Sequence, residues 1–218
     1  VINLGAGAFG LTQEIRRYYD FGKLYSPKFV ILQFCENDLD DNFLNLVTTI
    51  KNGKFAFKDS VNDINWMKKF MSQSMIQKTQ VYNLFRNRVY LFFAQRLIHK
   101  QKEEHNQALA AQRLTKESDF YIKLLTLFSK ELNADGVTLI MISVNNQLDQ
   151  YPEIKRCLKQ LESAGQLKFY CVQAWLEGVL NYGSPEGHLW GRLAHKIIGE
   201  KLSLIIKNFD NDRLKLKN

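Results

Sequence analysis

Short apolar runs alternate with longer amphipathic stretches along this chain, and this alternation limits its possible folds more than any other feature. The apolar runs have the length of β-strands and cover residues 1–4, 29–34, 137–144 and 167–172. The amphipathic stretches have helical spacing and cover residues 12–21, 61–130, 151–164 and 189–208. Strands that alternate with helices predict a mainly parallel sheet with right-handed crossovers and helices on both faces. We therefore expect one α/β domain over residues 1–218, with residues 61–130 as a helical insertion.

Turn and capping residues predict where several of these elements begin and end. We expect Thr12 to be the N-cap of the first helix and residues 133–136 to form the turn that ends the long helical region. The uninterrupted apolar run at residues 29–34 predicts a strand covered on both faces. Residues 51–59 are polar and contain glycine, so they are expected to separate this part of the chain from the helical insertion.

Composition excludes several classes of protein. The chain has 218 residues, of which 45% are hydrophobic and only 3 are proline, so it is not a disordered or low-complexity sequence. Its apolar runs are far shorter than the roughly 18–20 residues that cross a bilayer, which predicts no membrane span. Cys35, Cys157 and Cys171 are odd in number and lack CxxC spacing. They predict three reduced, partly buried thiols, with neither a disulfide framework nor a zinc site.

The balance of charge is basic, with 30 Lys and Arg against 22 Asp and Glu and a net charge of +8. Such a balance can indicate a partner that is a nucleic acid or an acidic membrane. The basic residues are spread along the chain, however, and at residues 96–104 they are mixed with acidic ones, as on a solvated helix face. We therefore expect no nucleic-acid partner, whereas membrane association, oligomeric state and compartment stay open.

The chain begins with Val1, and a strand-like run starts at once. A signal peptide would need a basic segment, an apolar stretch and a small-residue cleavage site, and none of these is present. We expect the sequence to begin inside a longer protein.

A glycine-rich turn follows the first apolar run. Gly5, Gly7 and Gly10 match the GxGxxG fingerprint of dinucleotide-binding proteins, although that motif also requires an acidic residue about 20 positions further on. Alternatively, the glycines only permit a tight turn between a strand and a helix. In a third interpretation, backbone N–H groups of the turn stabilise a developing oxyanion.

Residues 36–42 form a polar cluster directly after the second apolar run. The cluster can be a polar turn with an N-cap, or its carboxylates and amides can bind a hard cation, although the glycine and terminal Glu of an EF-hand loop are missing. As a functional site, Asn37 would offer an amide donor at the edge of the sheet. Asp38 or Asp41 would then hold the loop by accepting backbone N–H groups.

Of the four histidines, His188 is the best candidate for chemistry. It follows Glu186 in a loop before the last helix, whereas His99 and His105 lie on a charged helical stretch. His195 falls inside the last helix, where packing or a supporting hydrogen bond is expected.

Taken together, three blocks of sequence resemble the SGNH (GDSL-like) hydrolase superfamily. They are the Asn-Leu-Gly run and glycine turn at residues 3–10, the acidic and amide cluster at residues 36–42, and Glu186-Gly187-His188-Leu189 before the last helix. The resemblance implies a flavodoxin-like three-layer α/β sandwich that performs acyl transfer, usually hydrolysis of an ester.

The resemblance also implies roles for individual residues. The Asn37 side chain and the Ala8 backbone N–H would be the oxyanion donors, His188 the general base and Glu186 the acid that orients it. Gly7, Phe9 and Asp38 are expected to contact the substrate, an acyl ester of a small molecule or a glycan. No metal or other cofactor is expected.

The chain departs from the superfamily in its first block, because the serine nucleophile is absent and is expected upstream of Val1. Glu186, Trp190 and Ala194 also stand where Asp, Asn and Gly are usual. The sequence predicts an esterase when intact, with the aromatic residues between Trp66 and Phe93 forming a cap. The alternatives are a non-catalytic SGNH-like module that binds carbohydrate or protein, and a sugar O-acyltransferase.

Overall fold

The computed structural model of the chain describes residues 1–6, 9–44, 46–58, 107–180, 182–183 and 190–215. The predicted insertion therefore lies outside the described residues up to residue 106. The same holds for Gly7, Ala8, Glu186 and His188.

Three parallel strands form the main sheet, as the alternating sequence pattern predicted. Strand β1 is Phe29–Phe34. Strands β2 (Thr48–Lys51) and β3 (Lys54–Phe57) form a separate two-stranded sheet. Strands β4 (Thr138–Ser143) and β5 (Leu167–Cys171) complete the main sheet, in the order β1-β4-β5.

The three strands end in register. Phe34 lies opposite Ser143, and Ser143 lies opposite Cys171. The loops that follow β1, β4 and β5 therefore leave the sheet side by side, at what we call the C-terminal rim. In open parallel sheets, ligands bind beyond this end of the strands.

Helices connect and cover the strands. Among the described residues they are α1 (Leu11–Asp20), α2 (Asp38–Leu44), α3 (Gln107–Ala134), α4 (Pro152–Ser163), α5 (Gln173–Leu176) and α6 (Arg192–Lys215). Short 3₁₀ turns follow α1 at Gly22–Tyr25 and β4 at Gln147–Gln150. The predicted turn after the long helical region is confirmed, since α3 ends at Ala134 just before Gly136. None of the described helices combines the length and the apolar character that a bilayer crossing requires.

The central strand β4 is buried on both faces. Leu139 and Met141 point into one apolar cluster, with residues of α1, α3 and α4. Ile140 and Ile142 point into a second cluster, with residues of α5 and α6. Each side chain of this size contributes about 1.5–3 kcal/mol when it is removed from water. Helix layers on both faces thus account for an unbroken apolar strand.

Strand β1 differs from the prediction in its second half. Leu32 and Phe34 are buried against the first cluster, but Ile31 is 42% exposed and Gln33 is also exposed. Of the described strands only β4 pairs with β1, and the second cluster includes Phe29 and Cys35 but none of residues 30–34. The expectation of a strand covered on both faces is therefore wrong for residues 31–34.

Two predictions near the amino terminus are also wrong. Residues 1–4 form no strand, and Val1 and Ile2 are exposed, because none of the described strands lies beside them to accept their backbone hydrogen bonds. The N-cap of α1 is Gly10 rather than Thr12. Thr12 lies inside the first turn of the helix.

Strands β2 and β3 form a hairpin that the sequence pattern did not lead us to expect. Thr48 pairs with Phe57 and Lys51 pairs with Lys54 in an antiparallel ladder. Asn52 and Gly53 connect the strands with φ of 51° and 73°. Asn-Gly favours this left-handed two-residue turn, so the signal was present in the sequence.

The three cysteines are free, as predicted. Cys157 is buried, whereas Cys35 and Cys171 are half-buried.

Candidate functional site

The turn after β1 is held by Asp38. The Cys35 N–H donates to Asp38 Oδ2 at 2.9 Å, and the Asp38 N–H donates back to the Cys35 carbonyl at 3.0 Å. The Glu36 N–H donates to Gln147 Oε1 at 3.0 Å, which ties this turn to the loop after β4. Asp38 is only 5% exposed. This placement favours the predicted role of holding the loop over direct contact with a ligand.

Asn37 lies on the surface of the C-terminal rim, immediately after β1. Its Nδ2 donates to Asp41 Oδ2 at 2.6 Å. The Asp41 N–H donates to the Asn37 carbonyl at 2.9 Å, so the two residues are joined through backbone and side chain. An amide nitrogen carries two protons, and the bond to Asp41 uses one of them. The arrangement orients an exposed amide donor at the rim.

The amino end of α1 packs directly against residues 38–42. The Thr12 N–H donates to Asn42 Oδ1 at 2.8 Å, and Gln13 Nε2 donates to the Asp41 carbonyl at 3.0 Å. A Cβ atom on Gly10 would lie 2.5 Å from the Asp38 carbonyl oxygen and 2.7 Å from the Asn42 nitrogen. Only glycine permits this approach. The structure therefore brings part of the glycine turn and the polar cluster into contact.

Asn42 is fully buried at this contact. Its Nδ2 has no hydrogen-bond partner among the described residues, and an unpaired buried donor costs about 1–3 kcal/mol. Its Oδ1 accepts from the Thr12 N–H, one of the N–H groups at the amino end of α1 that have no partner within the helix.

Buried carboxyls lie behind the rim. The pKa of Asp38 is raised to about 8, mainly by burial; the hydrogen bond from the Cys35 N–H lowers it, and the nearby charge of Asp41 raises it. Burial also raises the pKa of Glu14 well above its ordinary value, with a further contribution from Asp38. Burial raises the pKa of Asp41 too, whereas the hydrogen bond from Asn37 lowers it. Asp38 therefore favours its neutral form near pH 7, and burial shifts Glu14 in the same direction.

A second set of contacts lies at the end of β4. Trp190 Nε1 donates to Asn145 Oδ1 at 3.2 Å. The Ser143 hydroxyl and the Cys171 thiol both donate to the Asn145 carbonyl, at 3.2 Å each. The Gly191 N–H donates to the Tyr182 carbonyl at 2.7 Å. The described residues on either side of positions 184–189 are therefore joined, and Trp190 fixes them to the C-terminal rim.

Of the predicted site residues, the structure describes Asn37, Asp38 and Phe9. The Phe9 ring lies 5.7 Å from the guanidinium carbon of Arg17, whose charge it faces. His195 packs edge-on against Trp190 with 5.9 Å between ring centroids, which agrees with the packing role expected of it.

Gln13 and Thr48 were missed as residues that support this region. Thr48 Oγ1 donates to the Thr12 carbonyl at 2.6 Å. Gln13 stands three residues after the helix cap, where Gln or Glu typically bonds back to the cap N–H, and its Oε1 does accept from the Gly10 N–H at 2.9 Å. That spacing was a usable signal, whereas the contact with Asp41 required the fold.

The rim thus offers an oriented amide donor, which can stabilise negative charge on an oxygen.

Comparison of the chain with protein-family models, curated proteins and solved structures finds no match. Within the residues that the structure describes, no cluster of three or more His, Cys, Asp or Glu side chains could hold a metal ion.

Proposed function

We propose that this chain is an acyl-hydrolase domain of the SGNH type, with the flavodoxin-like three-layer sandwich of that superfamily. The observation that carries the proposal is the exposed Asn37 amide at the C-terminal rim, held by Asp41. The proposal is also supported by the contact between Gly10 and the backbone of residues 38–42, since two of the resembling sequence blocks meet there.

In the proposed reaction, a serine supplied by sequence upstream of Val1 attacks the carbonyl carbon of an acyl ester. His188 takes the serine proton and then gives it to the leaving alcohol, while Glu186 orients the imidazole. Asn37 Nδ2 and the Ala8 N–H stabilise the oxyanion. Water, activated by the same histidine, then releases the acid.

The anchoring of Trp190 supports this assignment of His188. Trp190 follows His188 by two positions and bonds Asn145 at the end of β4, which is the neighbour of β1 in the sheet. Asn37 and Trp190 therefore both lie beside the ends of neighbouring strands at the C-terminal rim.

Replacement of Asn37 tests the proposal most directly. In the intact gene product, with the sequence that precedes Val1, we expect Asn37→Ala to lower kcat for a short-chain p-nitrophenyl ester by about 10² to 10³, the usual cost of losing one oxyanion donor. Asn133→Ala is the matched control, because Asn133 is also exposed but lies at the end of α3, away from the rim. Unchanged turnover in the folded Asn37 variant would reject the role.

The same assay separates the alternative functions. If wild-type protein hydrolyses no ester but binds an oligosaccharide or a protein, the non-catalytic module is favoured. If product forms faster when a sugar acceptor is added, and the acyl group appears on the sugar, the protein is an O-acyltransferase.

A further inference from the structure

Gln13 makes contacts in two directions from a buried position. It lies in the first turn of α1 and is 5% exposed. Its Oε1 accepts from the Gly10 N–H and from the Thr12 hydroxyl, at 2.9 Å each. Its Nε2 donates to the Asp41 carbonyl at 3.0 Å. If the amide were flipped, its NH₂ would face the Gly10 N–H and its oxygen would face the Asp41 carbonyl. Neither pair can form a hydrogen bond, so these contacts fix the orientation of the amide.

Asp41 transmits this constraint to Asn37. Gln13 binds the Asp41 carbonyl, and the Asp41 N–H binds the Asn37 carbonyl. The backbone of Asp41 is thus held on both sides of its Cα atom. Its carboxylate then accepts from Asn37 Nδ2 at 2.6 Å, a short bond to a charged acceptor.

Helix capping alone does not explain the glutamine. A glutamate at this position can also accept from the cap N–H. An ionised glutamate has no proton for the Asp41 carbonyl, however, so only an amide satisfies both partners.

We propose that Gln13 is a positioning residue that sets the orientation of the Asn37 amide through Asp41. Its effect on catalysis rests on the proposed function, in which Asn37 is an oxyanion donor. The chain of contacts joins the amino end of α1 to the C-terminal rim.

Two variants of Gln13 test the proposal by NMR of the Asn37 side-chain amide in the full chain, with its signals assigned by their loss in Asn37→Ala. Gln13→Met removes both sets of bonds, and Gln13→Glu, measured at a pH at which the new carboxyl is ionised, keeps an acceptor for Gly10 but loses the donor to Asp41. In both we expect the Asn37 Nδ2 signals to shift and their proton exchange to become about fivefold faster, the factor for one net hydrogen bond. If one variant does not fold, the other still decides.

Thr48→Val is the matched control. Thr48 is buried and bonds the carbonyl of Thr12, in the same turn of α1, but it has no bond to Asp41. We expect a loss of stability without a change at Asn37. Unchanged Asn37 signals in the Gln13 variants would overturn the proposal, as would an equal change in Thr48→Val, because general loosening would then explain the effect.

Kinetics of the intact gene product give the second readout. We expect kcat to fall about tenfold in Gln13→Met, with KM within about twofold, because a misdirected donor affects the transition state more than substrate binding. If wild-type protein turns over no ester, the proposed function fails, whereas the NMR result still decides whether Gln13 positions Asn37.

Discussion

Asp38 shows at the scale of one residue how burial makes a carboxyl sensitive to pH. Its pKa of about 8 in the fold exceeds the ordinary 3.8, mainly because the side chain is buried. Between these values the folded chain keeps a proton that the unfolded chain has released. Stability therefore falls as pH rises through this range, by up to about 1.4 kcal/mol per pH unit, and becomes constant above the folded pKa.

Asp38→Asn should remove much of this dependence. The amide oxygen can still accept from the Cys35 N–H, and no charge is buried. We expect wild-type protein to melt at a lower temperature at pH 8 than at pH 5, because each kcal/mol of lost stability lowers the melting temperature by about 2–4 °C. The melting temperature of the variant should depend less on pH. Glu14, whose pKa is raised in the same direction, leaves a residual slope.

Asp119→Asn is the control for this experiment, because Asp119 is exposed on α3. It should retain the wild-type pH profile in thermal denaturation. A profile for Asp38→Asn as steep as that of wild type would show that another group causes the dependence.

Single residues also show what sequence reasoning can and cannot find. The sequence identifies Asn37 because a residue that follows an apolar run lies near the end of a strand, whichever elements pack beside that strand. The role of Gln13 depends on Asp41, 28 positions away, and on how α1 meets α2. Thr12 was assigned as a cap from local preference, but its N–H is satisfied by Asn42 from another element.

At the scale of elements, the hairpin of β2 and β3 allows one substitution to be compared in two settings. Gly53 has φ of +73°, which an alanine adopts only with strain. Gly199 lies in α6, and the space that an alanine methyl group would occupy there is open. We expect Gly53→Ala to lower the free energy of unfolding by about 1 kcal/mol and Gly199→Ala to raise it by about 0.5–1 kcal/mol. Urea denaturation measures both, and a stabilising Gly53→Ala would contradict the turn.

The strands that the sequence predicts correctly are those that pair with another described strand of the main sheet. Strands β1, β4 and β5 fall within the predicted apolar runs, since each pairs with another strand of the described sheet. Residues 1–4 are also apolar, but no described strand pairs with them, and they form no strand. The hairpin was missed because polar residues in 51–59 outweighed the Asn-Gly turn.

At the scale of the whole molecule, two apolar clusters share one sheet. Ile154 of α4 lies in the first cluster and Ile140 of β4 in the second, both fully buried. We expect Ile140→Val and Ile154→Val each to cost about 1 kcal/mol. Because they lie in different clusters, the double variant should equal their sum within about 0.5 kcal/mol in urea denaturation. A larger discrepancy would mean that the clusters behave as one core.

The strands that end in register at Phe34, Ser143 and Cys171 have a consequence for how such a protein can diverge. Loops beyond this row can lengthen, shorten or be exchanged while the layers beneath keep their packing. Evolution can therefore revise what the molecule recognises without rebuilding its interior, and a protein engineer who grafts new loops would begin at the same three positions.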